Sequence, residues 1–323
     1  MGTPEPSSLR PTVPAGQHPV EQTRYVLATP AIDELLEAVA AWVDNRTPGG
    51  VIYGHPRMGK TRAIQYIMQA LPQEFGLALP MTVLRCREYL RPSEGVFFED
   101  VLRALGHRLL GGTAAAKRDR VTEYWYEQAR ASRQNRLILF VDDAQRLQPT
   151  HYEWLMDIYN DLEAIGVYLS VLLVGQPELA YQRSAFVETK KLQIVGRFMT
   201  LQHGFHGLRH AQDVRARLEG YDEHSEYPAD SGWSFSRYFF PRAFETGWRL
   251  ADSAEDLWEA FRQVRSESGL PGGHFEVPMQ YFCRTVEHFL RRYQTSDEDA
   301  PTLSIEVGRD AVCRSGYSGE EPL

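Results

Sequence analysis

Cysteine is scarce: the 323 residues contain only Cys86, Cys283 and Cys313, at spacings that suit neither a disulfide framework nor a metal knuckle. That excludes a disulfide-stapled secreted scaffold, and a reducing cytoplasm is the expected compartment. Long apolar runs are missing as well. The longest, near Leu137–Val141 and Tyr168–Val174, fall far short of the roughly 20 residues of a membrane helix, so no membrane partner is expected. No positively charged segment followed by an apolar one opens the chain, so nothing there reads as a secretory signal. The ten histidines have no HExxH or CxxC companion, which argues against a nitrogen- or sulfur-ligated metal, and His203, His206 and His210 read as surface residues. Positive charge is in deficit, with a net charge of -8. The last thirty residues hold seven acids against Arg309 and Arg314, so the remaining chain is near balance and can still carry a local basic surface.

What is present is an alternation of apolar strands and amphipathic helices. Ile32, Leu35, Leu36, Val39, Ala40 and Val43 recur at helical spacing after Pro30. Strands are expected at Gly50–Tyr53, Met81–Cys86, Arg136–Val141 and Tyr168–Val174, with helices at about 60–71 (closed by Pro72), 95–110, 121–132 and 152–165. This order implies an α/β fold with a mostly parallel sheet covered by helices, followed by a smaller helical domain. The expected division is a flexible arm over residues 1–22, rich in Pro, Ser and Gly, and an α/β core over 23–222. A helical, lid-like domain of aromatic-rich segments follows over 223–293, and then an acidic tail over 294–323.

Residues 54–61, Gly54-His55-Pro56-Arg57-Met58-Gly59-Lys60-Thr61, match G-x-x-x-x-G-K-[ST] in full. On average composition a chance match in a chain this long has a probability of roughly one in a hundred. The chemistry explains the spacing. Glycines let the backbone close around a phosphate, and the N–H groups of the loop and of the following helix, which opens Lys60-Thr61-Arg62, supply fixed positive potential. Lys60 would reach the β- and γ-phosphates, and the Thr61 hydroxyl would ligate Mg²⁺. A second stretch, "RLILFVDDAQRL" (136–147), describes a buried strand delivering acids to the edge where ligands sit in open α/β sheets. Asp142 is then the Mg²⁺ carboxylate and Asp143 the water-activating one; the plain alternative is that the pair caps the next helix.

A third stretch, "VYLSVLLVGQPEL" (167–179), ends in Gln176, which either orients water or serves as a turn residue before Pro177. In the fourth, "QIVGRFMTLQ" (193–202), Arg197 stands alone among apolar residues, either as a snorkelling side chain or as an arginine finger for a neighbouring subunit. Two basic patches are candidate DNA contacts or simply solvated surface: Lys117, Arg118 and Arg120 in a Gly/Ala-rich loop over 111–120, and Arg85 with Arg87.

The order "GHPRMGKT", "LILFVDDAQ", "LLVGQPEL" and "GRF" resembles the AAA+ ATPases, over about residues 25–220. Within that class the chain is similar to transposition regulators of the TnsC, TniB and MuB type, especially the short TnsC proteins of CRISPR-associated transposons. The resemblance implies an ATP- and Mg²⁺-dependent ring or filament on double-stranded DNA of any sequence, linking a target-selector protein to the transposase. It carries over Gly59, Lys60 and Thr61 as Walker A, Asp142 as Walker B, Asp143 as the base position, Gln176 as sensor 1 and Arg197 as the finger. Most such proteins have Glu where Asp143 stands; the shorter side chain implies slow hydrolysis suited to a switch. For sensor 2 both Arg242 and Arg249 remain open. The other readings are an ATPase serving secretion or replication loading, and a small-molecule phosphotransferase, which would need convergent arginines near the phosphates.

Overall fold

A computed structural model describes residues 9–75, 78–267, 275–294 and 302–317. In chain order the elements are α1 (Pro19–Gln22), α2 (Pro30–Asp44), β1 (Gly49–Tyr53), α3 (Lys60–Phe75), β2 (Met81–Arg85), α4 (Glu94–Ala104), α5 (Ala114–Ala131) and β3 (Arg136–Asp142). A single 3-10 turn over Ala144–Arg146 leads to α6 (Pro149–Ala164), β4 (Tyr168–Gly175), α7 (Glu178–Glu188), α8 (Leu192–Phe198) and β5 (Leu201–Gly204). The helical remainder comprises α9 (Ala211–Asp222), α10 (Phe235–Phe239), α11 (Pro241–Glu245), α12 (Ala254–Glu267), α13 (Met279–Tyr293) and α14 (Ile305–Arg314). The chain folds as two compact units, one of residues 34–56 and 60–205, the other of 1–33, 57–59 and 206–323.

The α/β unit is built on a five-stranded sheet in the order β2-β3-β4-β1-β5, every pairing parallel. This is the α/β fold with a parallel sheet covered by helices expected from the alternating pattern. The two central strands are continuous apolar runs because both faces are covered: Leu137 to Val141 on β3 and Val171 to Val174 on β4 are all buried. Phe97 and Phe98 of α4, Trp125 of α5 and Tyr152 of α6 pack into the same core. Strand β5 was not expected from the sequence. As an edge strand with Leu201 and Gln202 exposed, it lacks the apolar run that marks a buried strand. Segment 111–120 also departs from expectation: it is helical from Ala114, with Thr113 as N-cap accepting from the Ala116 N–H at 3.2 Å. Helix α3 runs past Pro72 to Phe75, since a proline in the last turn forfeits only one backbone hydrogen bond.

The helical unit has a separate aromatic core that includes Phe239, Phe240, Phe261, Phe282 and Phe289. It begins at His206 and takes in α9, so its start lies earlier than the expected 223. Helices α10 and α11 are separated at Phe240-Pro241, because a residue before proline is pushed out of the helical region. Part of the expected arm is structured. His18 and Val20 are fully buried in this unit, while residues 1–8 lie outside the described residues. The expected acidic tail contains α14. Leu303, Val312 and Tyr317 are buried, an apolar stripe interleaved with acids; residues 295–301 and 318–323 lie outside the described residues. No described helix is long and apolar enough to cross a membrane.

A candidate nucleotide site at the sheet edge

β1 delivers the glycine loop. The Gly54 N–H donates to the Gly175 carbonyl at 3.2 Å, extending the β1–β4 ladder by one step. Gly54 is obligatory, for a Cβ there would lie 2.1 Å from the Phe205 carbonyl oxygen. Gly59, at φ +103°, occupies a region that side chains rarely adopt, and Arg57 is also left-handed at φ 66°. Pro56 and Arg57 are exposed, His55 is half-buried, and Met58 is buried, its sulfur 2.9 Å from where a Cβ on Gly207 would lie. Lys60 opens α3, whose first turn carries no acid to compete for an anion. Its ammonium donates to the Gly54 and His55 carbonyls at 2.6 and 2.7 Å. Burial pulls the Lys60 pKa down to about 8, against the opposing pull of the Asp142, Asp143 and Glu178 carboxylates. Arg62, exposed on the same turn, donates to Gln65 at 3.1 Å.

β3 delivers the acids. The Thr61 hydroxyl donates to Asp142 Oδ2 at 3.0 Å, joining Walker A to Walker B across 81 positions of sequence. Asp142 is buried, and burial raises its pKa; the Asp143 charge adds to this, while the Thr61 hydrogen bond, the Asp143 N–H and Arg85 oppose it. Asp143 is left-handed at φ 57° and about half exposed, and its N–H donates to Asp142 Oδ1 at 3.1 Å. This places the second carboxylate beside the first but turned outward. Asp143 Oδ1 accepts from the Gln145 amide at 3.2 Å, a contact that sequence reasoning missed. β4 delivers Gln176, one residue past the Gly175–Tyr53 pairing, and its N–H donates to Gln145 Oε1 at 3.2 Å. Cys86 lies behind this edge, and burial, with the Asp143 and Asp142 charges, pushes its thiol up to about 12, so it is an inert neighbour.

Of the sequence-predicted residues, Gly54 to Pro56, Lys60, Thr61, Asp142, Asp143 and Gln176 come together in the α/β unit at the ends of adjacent strands. Arg197 does not join them. It sits near the start of β1, where a Cβ on Gly49 would lie 2.6 Å from the Arg197 carbonyl. Five residues of strand, about 16 Å, separate that end from the glycine loop. The Arg197 guanidinium donates to Asn160 Oδ1, stacks 4.6 Å from the Tyr159 ring and lies 3.8 Å from Glu163.

The basic patches are largely occupied. Lys117 is buried, bridging Glu99 Oε2 at 2.7 Å and the Gly95 carbonyl at 3.1 Å, so it clamps α5 to α4. Arg118 lies 3.6 Å from Glu94 and 3.5 Å from Asp157, and Arg120 donates to the Leu109 carbonyl at 3.0 Å. Arg87 pairs with Asp100 at 2.7 Å, whereas Arg85 stands opposite Asp142 in the β2–β3 register. In the helical unit, Arg249 donates to the Phe244 and Trp248 carbonyls at 3.0 and 2.8 Å and lies over the Phe244 ring.

A glycine loop between strand and helix, a hydroxyl–carboxylate pair and a second acid, all at the C-terminal edge of a parallel sheet, define a P-loop nucleotide-binding domain. Residues 44–182 match the family described as "AAA domain". No curated protein matches the chain in sequence. Among solved structures, the ORC2 protein of Aeropyrum pernix in ADPNP–ADP complexes is similar, with a TM-score of 0.62 and 16% identity over 92% of this chain and 71% of that one. Drosophila ORC bound to DNA gives a TM-score of 0.49 and 10% identity over 100% and 71%. Domain III of the Thermotoga maritima replication initiation protein DnaA gives 0.47 and 14% over 89% and 93%. At 16% identity the likeness to the ORC2 protein is one of fold.

Proposed function

We propose that the chain is an AAA+ ATPase that uses MgATP as an assembly switch on double-stranded DNA, in the manner of the TnsC-type transposition regulators. The observation that carries the ATPase reading is the set Lys60, Thr61, Asp142 and Asp143 at one strand edge. Its donors suit the group they would hold. Thr61 Oγ1 and Asp142 Oδ2 are hard oxygens 3.0 Å apart, fit for Mg²⁺, and the ammonium of Lys60 would exchange two carbonyls for phosphate oxygens. Bound Mg²⁺ supplies charge neutralisation to the phosphates. Asp143, half exposed and anchored by its backbone, is the residue to accept a proton from water. Its short side chain suits the slow turnover of a switch.

Self-association is supported by Arg197. Its place at the far edge of the sheet leaves it no role at its own chain's phosphates, and Leu192, at the other end of α8, is 60% exposed. Repetition of subunits as a ring or filament along a duplex would let one or two cations per subunit suffice for sequence-neutral binding, the net charge notwithstanding. Transposase and target-selector proteins are the partners this reading implies.

A second reading, an ATPase of another machine such as secretion or replication loading, is favoured by one observation: Lys117 and Arg87 are committed to ion pairs within the α/β unit. Negative-stain imaging with a duplex of unrelated sequence, with and without a non-hydrolysable ATP analogue, separates the two. Rings or filaments on DNA that need nucleotide support the assembly switch. Nucleotide binding without DNA-dependent assembly moves the assignment to the second reading. Lys60→Ala removes two charge-assisted contacts, about 3 kcal/mol and so about a hundredfold in nucleotide affinity, and assembly is expected to vanish with it.

A further inference from the structure

Asp143 has its backbone fixed by the Asp142 carboxylate, yet its own carboxylate is about half exposed, and the 3.9 Å approach of Arg146 is too long to orient it. The group that does orient it is Gln145. The Gln145 Nε2 donates to Asp143 Oδ1 at 3.2 Å, while its Oε1 accepts from the Gln176 N–H at 3.2 Å. Donor and acceptor ends are thereby assigned by chemistry, since a carboxylate only accepts and a backbone N–H only donates.

The amide is held from both sides. Its own backbone carbonyl accepts from Gln182 Nε2 at 2.7 Å, and Gln182 Oε1 in turn accepts from the fully buried Tyr152 hydroxyl at 3.1 Å. The end of β4 is shaped to admit it, because a Cβ on Gly175 would lie 2.2 Å from Gln145 Oε1. Gly175 is also the residue whose carbonyl accepts the Gly54 N–H. An unbroken path therefore runs from the first glycine of the phosphate loop, through the end of β4 and one amide, to the carboxylate of Asp143.

We infer that Gln145 is a positioning residue that sets the Asp143 carboxylate from the strand end abutting the glycine loop. The inference rests on the ATPase reading above. Gln145 need not touch nucleotide. Its effect belongs to the reacting arrangement, so its loss should lower turnover without weakening ground-state binding.

The test uses the full chain and three variants: Gln145→Met, which fills the volume without either hydrogen bond; Gln145→Glu, which keeps an acceptor for Gln176 but sets a carboxylate against Asp143; and Gly175→Ala, which displaces the amide. Steady-state kinetics, the melting temperature, and affinities for a non-hydrolysable ATP analogue and for ADP–aluminium fluoride are measured on each. A fall in kcat of about tenfold or more is expected, with KM and ATP-analogue affinity within about twofold of wild type and the fluoride complex weakened in step with kcat. Unchanged kcat and fluoride affinity in folded Gln145→Met would overturn the inference, as would an equal loss of both affinities. If Gln145→Met does not fold, Gln145→Glu decides by the same criteria. A wild-type chain that binds neither nucleotide complex would instead sink the ATPase reading.

Discussion

Asp143 and Gln145 are two positions apart, yet only the first could be read from sequence. A strand of apolar residues ending in acids is a local pattern, and so is the glycine loop, whose residues sit within eight positions of one another. Gln145 acquires a role only when β3 and β4 lie side by side, and a glutamine in a turn carries no mark of that. Asp143→Asn keeps the side chain's length and its hydrogen-bond acceptor while removing the proton-accepting charge. Turnover is expected to fall by about a hundredfold, within the range that a positioned general base contributes. Nucleotide binding and any assembly should persist, because Lys60, Thr61 and Asp142 are untouched. Phosphate release together with analogue binding measures both; unchanged turnover would remove Asp143 from the chemistry and leave Gln145 as its structural neighbour.

At the scale of elements, periodicity and apolar runs located the buried strands and failed where packing is decided by distant chain. β5 was missed because its pairing with β1 is its only strand signal, and α5 was shortened because its first turn is alanine and charge, which read as loop. The segment ending in α1 shows the same limit. Proline, serine and glycine suggested a free arm, but His18, the N-cap of α1, is fully buried among Tyr227, Phe235, Tyr238 and Phe239. Burial, reinforced by Arg10, lowers the His18 pKa to about 4 from 6.5. The folded state therefore binds fewer protons than the unfolded one between those values. The stabilisation is complete above about pH 6.5 and is lost as pH falls toward 4, with about 2 kcal/mol gone by pH 5. His18→Asn cannot take up that proton, so its melting temperature should drop less than that of wild type between pH 7 and pH 5. Parallel drops in the two proteins, followed by circular dichroism, would show that His18 is not the titrating group.

For the whole molecule the question is whether one chain is a complete enzyme. The α/β unit brings Lys60, Thr61, Asp142 and Asp143 to one edge of the sheet, but Arg197 lies at the other. Arg197 leans on Asn160, Tyr159 and Glu163, in the last turns of α6, the helix that follows the Asp142 end of β3. A transition state gathering charge on a phosphoryl group gains from an arginine, a contribution of about a thousandfold or more where such a residue acts. Geometry denies that role to Arg197 within its own subunit and leaves it open toward a second copy. The two readings of Arg197 differ in mixtures. Lys60→Ala lacks a working cradle but keeps its arginine; Arg197→Ala keeps the cradle but lacks the arginine. If the arginine acts across subunits, each variant alone is nearly inactive, and an equimolar mixture regains turnover because some interfaces pair an intact cradle with an intact arginine. If Arg197 only braces α8 against α6, Arg197→Ala lowers the melting temperature, retains turnover per folded molecule, and adding Lys60→Ala changes nothing. Phosphate release from the two variants, separately and mixed, distinguishes a self-sufficient domain from one whose site is finished by its neighbour.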